Sequence, residues 1–358
     1  AWPTLSTHTS GPIRRTTDRL AILRAPSERT QLHVTMNDKT EHAPVIESWD
    51  TYWRCARATD AFTGGGAGHP LVQSFWVHYF SNIRARGDTP KIIDIASGSG
   101  AVVDCANTVF VDGLPDFTCL DVSDAAIRML EERFPGVHGV VSDAASIPLD
   151  AASYDIVTSQ FGVEYAGLEA VDELVRLLAA SGELALLLHH RDGVIFDECV
   201  SSLDAIDKMQ ASGFIVKCSA VFETGYAALK GGDREAYGAA GREFAPAIGA
   251  VEDIIREHGT DVADGTIVRL YRDVRNIHER MQHYEADEIT SWLGRMQDEV
   301  VAFAGRMASM RDVAIDGTRF DKLRADLTGK GFEILRAEPL ASADDAPPLA
   351  WALVARKQ

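Results

Sequence analysis

Short apolar runs alternate with amphipathic stretches through the middle of this chain. Residues 91–96 (KIIDIA) form a run of the kind that makes a buried parallel strand. Glycines follow at 98 and 100, and AVVDCANTVF then reads as a helix. The pattern predicts further strands at 117–122, 137–142, 154–160 and 183–190. Between them it predicts helices at 124–134, with Ser123 as N-cap, and at 168–180, stopped by Ser181 and Gly182. Strand–helix alternation of this type builds an α/β fold, a mostly parallel sheet with helices on both faces.

The flanks are different. Residues 46–85 read as helical and aromatic-rich, interrupted by the glycines between 64 and 68 and by Pro70. Residues 191–317 show helical spacing at 251–258, 266–282 and 289–310, with no strand alternation. The alternation resumes with a helix at 320–327 and strands at 332–340 and 349–355. The link between those strands is short and turn-rich, so they should pair as an antiparallel hairpin. The expected organisation is therefore a leader at 1–35, a helical cap at 36–85 and a ligand-binding core at 86–190. A helical insertion follows at 191–317, and residues 318–358 complete the core. A long insertion in such a fold serves as a lid or recognition region. The competing role is a packed annex or homodimer interface.

Composition narrows the partners. Hydrophobic residues make up 46% of the chain, enough for a sizeable core, and the formal net charge is −18. That charge repels phosphate backbones, so no nucleic-acid partner is expected. The five cysteines form no CxxC pair and no zinc spacing, so no metal is expected and a reducing, cytoplasmic compartment fits. No uninterrupted apolar stretch is long enough to span a membrane. The first 35 residues carry five arginines and many Ser and Thr, like an organelle transit peptide in composition. Ordinary globular character begins at Met36, which sets that leader apart as disordered or foreign to the native start.

In an open α/β sheet ligands bind at the carboxyl ends of the strands, so residues just past each strand are the informative ones. Gly98 and Gly100 let the backbone turn sharply and approach a ligand, with the next helix aiming its N–H groups at the same place. A bare strand-to-helix turn would need those glycines too. Asp121 ends the second strand, where a carboxylate can accept from both hydroxyls of a ribose. Asp143, followed by Ala144, ends the third and can read an adenine edge. Gln160 and Phe161 follow the fourth.

In this order the residues resemble the class I S-adenosylmethionine-dependent methyltransferases, of small-molecule type. The resemblance covers about 85–190 and 318–358 and leaves out the helical insertion. It implies a Rossmann-like, seven-stranded, mostly parallel sheet with an antiparallel last strand, and S-adenosylmethionine as cofactor. The implied cofactor-binding set is Asp94, Ala96, Ser97, Gly98, Gly100, Asp121, Val122, Asp143, Ala144, Gln160 and Phe161. In that family's pattern Asp94 supports the loop and the methionine amino group. Asp121 holds the ribose, Asp143 and Ala144 hold the adenine, and Gln160 and Phe161 line the methyl. Tyr52 and Trp53 either close over the cofactor or pack in the core. Ala96 departs from the family, which often has its first glycine there.

The expected reaction is methyl transfer to a small-molecule acceptor, with O-, N- and C-methylation left open. The sulfonium methyl is already electrophilic, so alignment dominates and a base matters only for an acceptor that must lose a proton. Glu164, Tyr165, His189 and His190 lie near that end, and no catalytic residue is assigned among them. No Asp/Asn-Pro-Pro-aromatic run and no Pro-Cys pair points to a nucleic-acid base. One alternative is a cofactor-binding partner subunit without transfer activity. A nicotinamide-dependent dehydrogenase is less favoured, because Val103 stands where it wants a third glycine.

Overall fold

The computed structural model describes Trp53, residues 68–87 and residues 89–358. The leader 1–35, most of the aromatic N-terminal stretch, Tyr52 and Cys55 lie outside the described residues.

The strands are β1 (Lys91–Ile95), β2 (Asp116–Asp121), β3 (His138–Val141), β4 (Tyr154–Gln160), β5 (Leu178–His189), β6 (Phe332–Leu340) and β7 (Ala350–Lys357). The helices are α1 (Pro70–Ala85), α2 (Ala101–Val109), α3 (Asp124–Arg133), α4 (Val171–Leu177) and α5 (Val194–Ser212). They continue with α6 (Phe214–Leu229), α7 (Arg234–His258), α8 (Thr266–Glu279), α9 (Ala286–Val313) and α10 (Gly317–Gly329). The strands make one sheet in the order β3-β2-β1-β4-β5-β7-β6. The first five pair in parallel, and β7 runs antiparallel to both β5 and β6. The mostly parallel seven-stranded sheet with a closing hairpin is thus as the alternation predicts.

Burial explains why β1 reads as an unbroken apolar run. It is covered on both faces, and Ile92, Ile93 and Ile95 have no exposed surface. Connections leave β1 toward β2 on one side and β4 on the other, so a crevice opens at the carboxyl ends between them.

Two boundaries differ from the sequence expectation. The helix before β5 ends at Leu177, and the strand begins at once with Leu178, which pairs with Tyr154. The next register partner is Glu183 on Ile156, so residues 179–182 bulge out of the ladder. Ser181 there is left-handed, at φ 63°. The Ser-Gly pair therefore marks a bulge rather than a helix stop. Likewise β3 ends at Val141, and Asp143 stands in the following turn rather than on the strand.

By internal packing the chain falls into two units. Among the described residues, one is the sheet unit, with those up to 206, 260–266 and 300–358; the other holds residues 207–259 and 267–299. The second is helical and has its own core. Phe214 and Phe244 pack at 5.1 Å between ring centres, and the Tyr226 hydroxyl donates to the carbonyls of Met281 and Tyr284 at 3.0 Å each. No helix among the described residues is long and apolar enough to cross a membrane.

Helix α1 begins on Pro70, with the His69 ring nitrogen Nδ1 accepting from Leu71 N at 3.2 Å. It buries an aromatic stripe: Trp76 and Phe80 are fully enclosed, and Phe80 meets Phe110 and Phe117 at 6.2 Å each. Glu183 of β5 ties this helix region down. Arg86 donates to its Oε1 at 2.5 Å, Arg356 Nε and Nη2 reach the same oxygen at 3.1 and 2.8 Å, and the Tyr79 hydroxyl donates to Oε2 at 3.3 Å. Burial alone would raise the Glu183 carboxyl, but the hydrogen bonds and charges of Arg356 and Arg86 hold it below its ordinary 4.5. A depressed carboxylate stabilises the fold above its ordinary value, and this contribution disappears as pH falls through the folded value. Glu183→Gln should therefore lower unfolding stability by about 2 kcal/mol at neutral pH. The gap to wild type should shrink below pH 4.5, read from urea melts across pH.

Candidate functional site

The loop after β1 is a tight left-handed turn. Ala96, Gly98 and Gly100 have φ of 54°, 51° and 88°. An L-residue in that region costs roughly 1 kcal/mol, so Ala96 carries strain that a glycine would not. Gly162 makes room for it: a Cβ there would fall 2.4 Å from the Ala96 methyl. Gly98 and Gly100 are needed for space as well as for φ. A Cβ on Gly98 would lie 2.7 Å from the Trp53 ring, and one on Gly100 would lie 2.7 Å from the Phe134 ring. Trp53 is buried, with its indole against the loop, while Tyr52 lies outside the described residues.

Asp121 holds the loop in place. Its Oδ2 accepts from Gly98 N at 2.9 Å and its Oδ1 from Ser123 N at 2.9 Å. Ser97 N adds a bond to Leu120 O at 3.0 Å, which continues the β1–β2 ladder one residue into the turn. Burial raises the Asp121 carboxyl, and the N–H bonds of Ser123 and Gly98 pull it back.

Asp94 sits beside it on β1, almost wholly buried. Its Oδ1 accepts from the Thr158 hydroxyl at 2.8 Å, and its Oδ2 has no partner. Burial pushes its carboxyl up to about 7; the Thr158 bond opposes this and the Asp121 charge adds to it. Ser99 Oγ is also buried without a partner, and Ser97 Oγ has only the Cys119 thiol beside it. Enclosed polar atoms left unpaired at one turn are costly unless something else supplies partners. The donor set, a carboxyl oxygen and two hydroxyls, fits a ligand carrying an ammonium group and hydroxyls.

The other sequence-identified residues surround this turn unevenly. Val122 is exposed although apolar, next to Asp121. Asp143 is exposed, and its Oδ1 accepts from Ala145 N at 2.9 Å; Ala144 behind it is buried. Gln160 ends β4, where its Oε1 accepts from Trp76 Nε1 at 2.6 Å, so that oxygen is committed to α1. Phe161 follows at φ 52° and packs on His189, 4.7 Å between ring centres.

The structure separates two neighbours that the sequence left equivalent. His190 stacks on Trp351 at 4.1 Å and accepts from Asp192 N at 3.0 Å, and burial lowers its pKa. His189 instead places Nδ1 2.8 Å from Glu164 Oε1, an oxygen that also accepts from His189 N at 2.9 Å. No spacing rule links residues 25 apart across two strands; the one signal available was that both stand at strand ends. The four described free cysteines, Cys105, Cys119, Cys199 and Cys218, are buried, and burial raises each thiol.

Residues 93–186, which span β1 to β5 and this turn, match the family model described as a methyltransferase domain. Over these residues the core is similar to S-adenosylmethionine-dependent methyltransferases. An uncharacterised methyltransferase of Schizosaccharomyces pombe is 28% identical over 30% of this chain and 42% of its own length. The ubiquinone/menaquinone biosynthesis C-methyltransferase UbiE of Campylobacter jejuni is 26% identical over 27% of this chain and 43% of its own. The chain thus spans less than half the length of these curated relatives. Among solved structures, the plantazolicin methyltransferase BpumL in complex with SAH aligns over 88% of this chain and 96% of its own, at 10% identity and TM-score 0.42.

In this methyltransferase core the raised carboxyl of Asp94 has a measurable consequence. A carboxyl raised in the folded state stabilises the fold below its ordinary 3.8, and the contribution is lost as pH climbs to about 7. Ionisation over the same interval creates the charge that attracts a cation. Affinity for S-adenosylmethionine should therefore rise between pH 6 and 8, measured by calorimetry. In Asp94→Asn it should be weaker and flat with pH.

Proposed function

We propose that this protein transfers the methyl group of S-adenosylmethionine to a small-molecule acceptor. The observation that carries the reading is the unpartnered, buried Oδ2 of Asp94, set beside the Asp121-anchored glycine turn at the crevice between β1 and β4. In this reading Asp94 Oδ2 accepts from the ammonium of the methionine part, and Ser97 and Ser99 offer hydroxyls beside it. Asp121 meets the ribose, Val122 supplies apolar surface, and Asp143 and Ala144 meet the adenine. Phe161 stands toward the reactive end. When bound, S-adenosylmethionine supplies an electrophilic methyl on a sulfonium; the chain's part is alignment and exclusion of water.

A small acceptor is favoured by the −18 net charge, which opposes nucleic acid. The quinone-pathway methyltransferases among the relatives also act in small-molecule biosynthesis by name. Acceptor selection then belongs to the 191–317 segment, which lies outside the 93–186 match. The buried cysteines without disulfides favour a reducing, cytoplasmic location.

Calorimetry with S-adenosylmethionine, S-adenosylhomocysteine and NAD tests the reading. The first two should bind and NAD should not; binding to NAD alone would sink it. Asp121→Asn should weaken S-adenosylmethionine by about 1–3 kcal/mol, the cost of a lost charge-assisted acceptor. An unchanged affinity removes Asp121 from the site.

A further inference from the structure

Past the cofactor turn, the carboxyl ends of β4 and β5 carry a second group of polar side chains that alignment of a methyl group does not require. Glu164 follows β4 in a short 3-10 turn, and its side chain is fully enclosed. Its Oε1 bonds both the backbone N and the ring Nδ1 of His189, at 2.9 and 2.8 Å. Two bonds to one residue fix the ring's position and its tautomer: Nδ1 carries the proton and Nε2 keeps the lone pair. That second nitrogen has no hydrogen-bond partner among the described residues. Phe161 lies against the imidazole at 4.7 Å, and Tyr165 meets it edge-on at 5.8 Å. Burial, with Glu164 and Cys199 nearby, raises the Tyr165 phenol, so that hydroxyl stays protonated and does not compete as a base.

A purely structural histidine, such as the adjacent His190, spends its ring on stacking and a backbone bond. His189 differs: one nitrogen is oriented by a buried carboxyl group, the other has no hydrogen-bond partner among the described residues, and the residue that follows β4, Phe161, lies against the ring. This is the arrangement a general base requires, with a carboxylate that fixes the tautomer and balances the imidazolium once it forms.

We propose that His189 is the proton acceptor for the methyl acceptor, with Glu164 as its positioning residue, and that the acceptor is an aromatic or enolic hydroxyl compound. The proposal rests on the methyltransferase reading. The acceptor O–H gives its proton to His189 Nε2, and the oxygen electron pair forms the new O–CH3 bond. The methyl–sulfur bond breaks with its electron pair left on sulfur, giving a neutral thioether. The imidazolium, held beside Glu164, then releases the proton to water. The flanking rings of Phe161 and Tyr165 suit a flat acceptor, and their apolar surroundings strengthen the charge interactions of the step.

The test uses the full chain with naphthalene-2,3-diol as probe acceptor, S-adenosylhomocysteine as the inert cofactor and S-adenosylmethionine for turnover. Nitrogen NMR of the imidazoles should show His189 protonated at Nδ1, with an Nε2 signal that moves when the diol is added to the S-adenosylhomocysteine complex. His189→Gln should lose about 100-fold in single-turnover methylation at pH 7. Its S-adenosylhomocysteine affinity should stay within twofold of wild type. The deficit should narrow at high pH, where the diol ionises unaided. Glu164→Gln keeps an acceptor for Nδ1 but removes the charge; it should lose about 10-fold and change the pH profile, which also covers the case in which His189→Gln does not fold. An Nε2 signal indifferent to the diol overturns the assignment. So does a His189→Gln rate profile that parallels wild type, or a wild type that binds S-adenosylmethionine and leaves the diol unmethylated. Failure of wild type to bind S-adenosylmethionine at all would instead overturn the underlying reading.

Discussion

The turn at the carboxyl edge of the sheet depends on one buried carboxylate, each oxygen of which accepts one backbone N–H. Asp121 takes the N–H of Gly98 on one oxygen and that of Ser123 on the other. The first bond fixes where the β1 turn goes; the second starts α3, whose N-cap is Ser123. A carboxylate accepting two N–H groups is far better bound than a neutral acceptor would be. Asp94 is raised chiefly by its own burial, and the nearby charge of Asp121 adds to the shift. The two acids are thus unlike although they stand side by side. One is anchored by backbone, and the other keeps one oxygen unmatched.

The sheet was legible because its central strands are buried on both faces. Continuous apolar runs such as the one through Ile92, Ile93 and Ile95 have no other stable use, and the turn-rich link before β7 allowed only a hairpin. Legibility failed where pairing, rather than side-chain pattern, decides the element. Residues 179–182 read as the end of a helix because Ser and Gly commonly stop one. The ladder partner of Leu178, however, is Tyr154, which local composition cannot reveal. The helices at 194–229 fall inside the segment read as helical, although their apolar residues give no clean single stripe from which to read their bounds.

At the site, residues adjacent in sequence to a strand end could be named, and contacts between elements could not. The glycine turn, Asp94 and Asp121 belong to the first kind, since strand order alone brings them together. Gln160 shows the limit: its position after β4 was legible, but its oxygen is held by Trp76, 84 residues earlier. Ala96 shows another. As a substitution it adds one methyl, yet its cost lies in a left-handed backbone, and its tolerance lies in Gly162, on a different strand end.

The pair of histidines carries this furthest. Neighbouring residues along a strand point to opposite faces, so two identical side chains leave β5 into different chemistry. His190 enters a stack with Trp351, which itself lies on Phe320 at 4.2 Å, and becomes part of the packing of the closing hairpin. His189 turns toward the end of β4, where Glu164 and Phe161 wait. The period of the strand, not the residue type, thus separates a packing histidine from one whose second nitrogen stays open. It also puts that nitrogen one strand away from the Asp121-anchored turn. In the proposed reading, cofactor chemistry on β1 and β2 and proton chemistry on β4 and β5 are neighbours by sheet order. On that reading, the division would let the first half remain a general methyl-donor site while the second adapts to what is methylated.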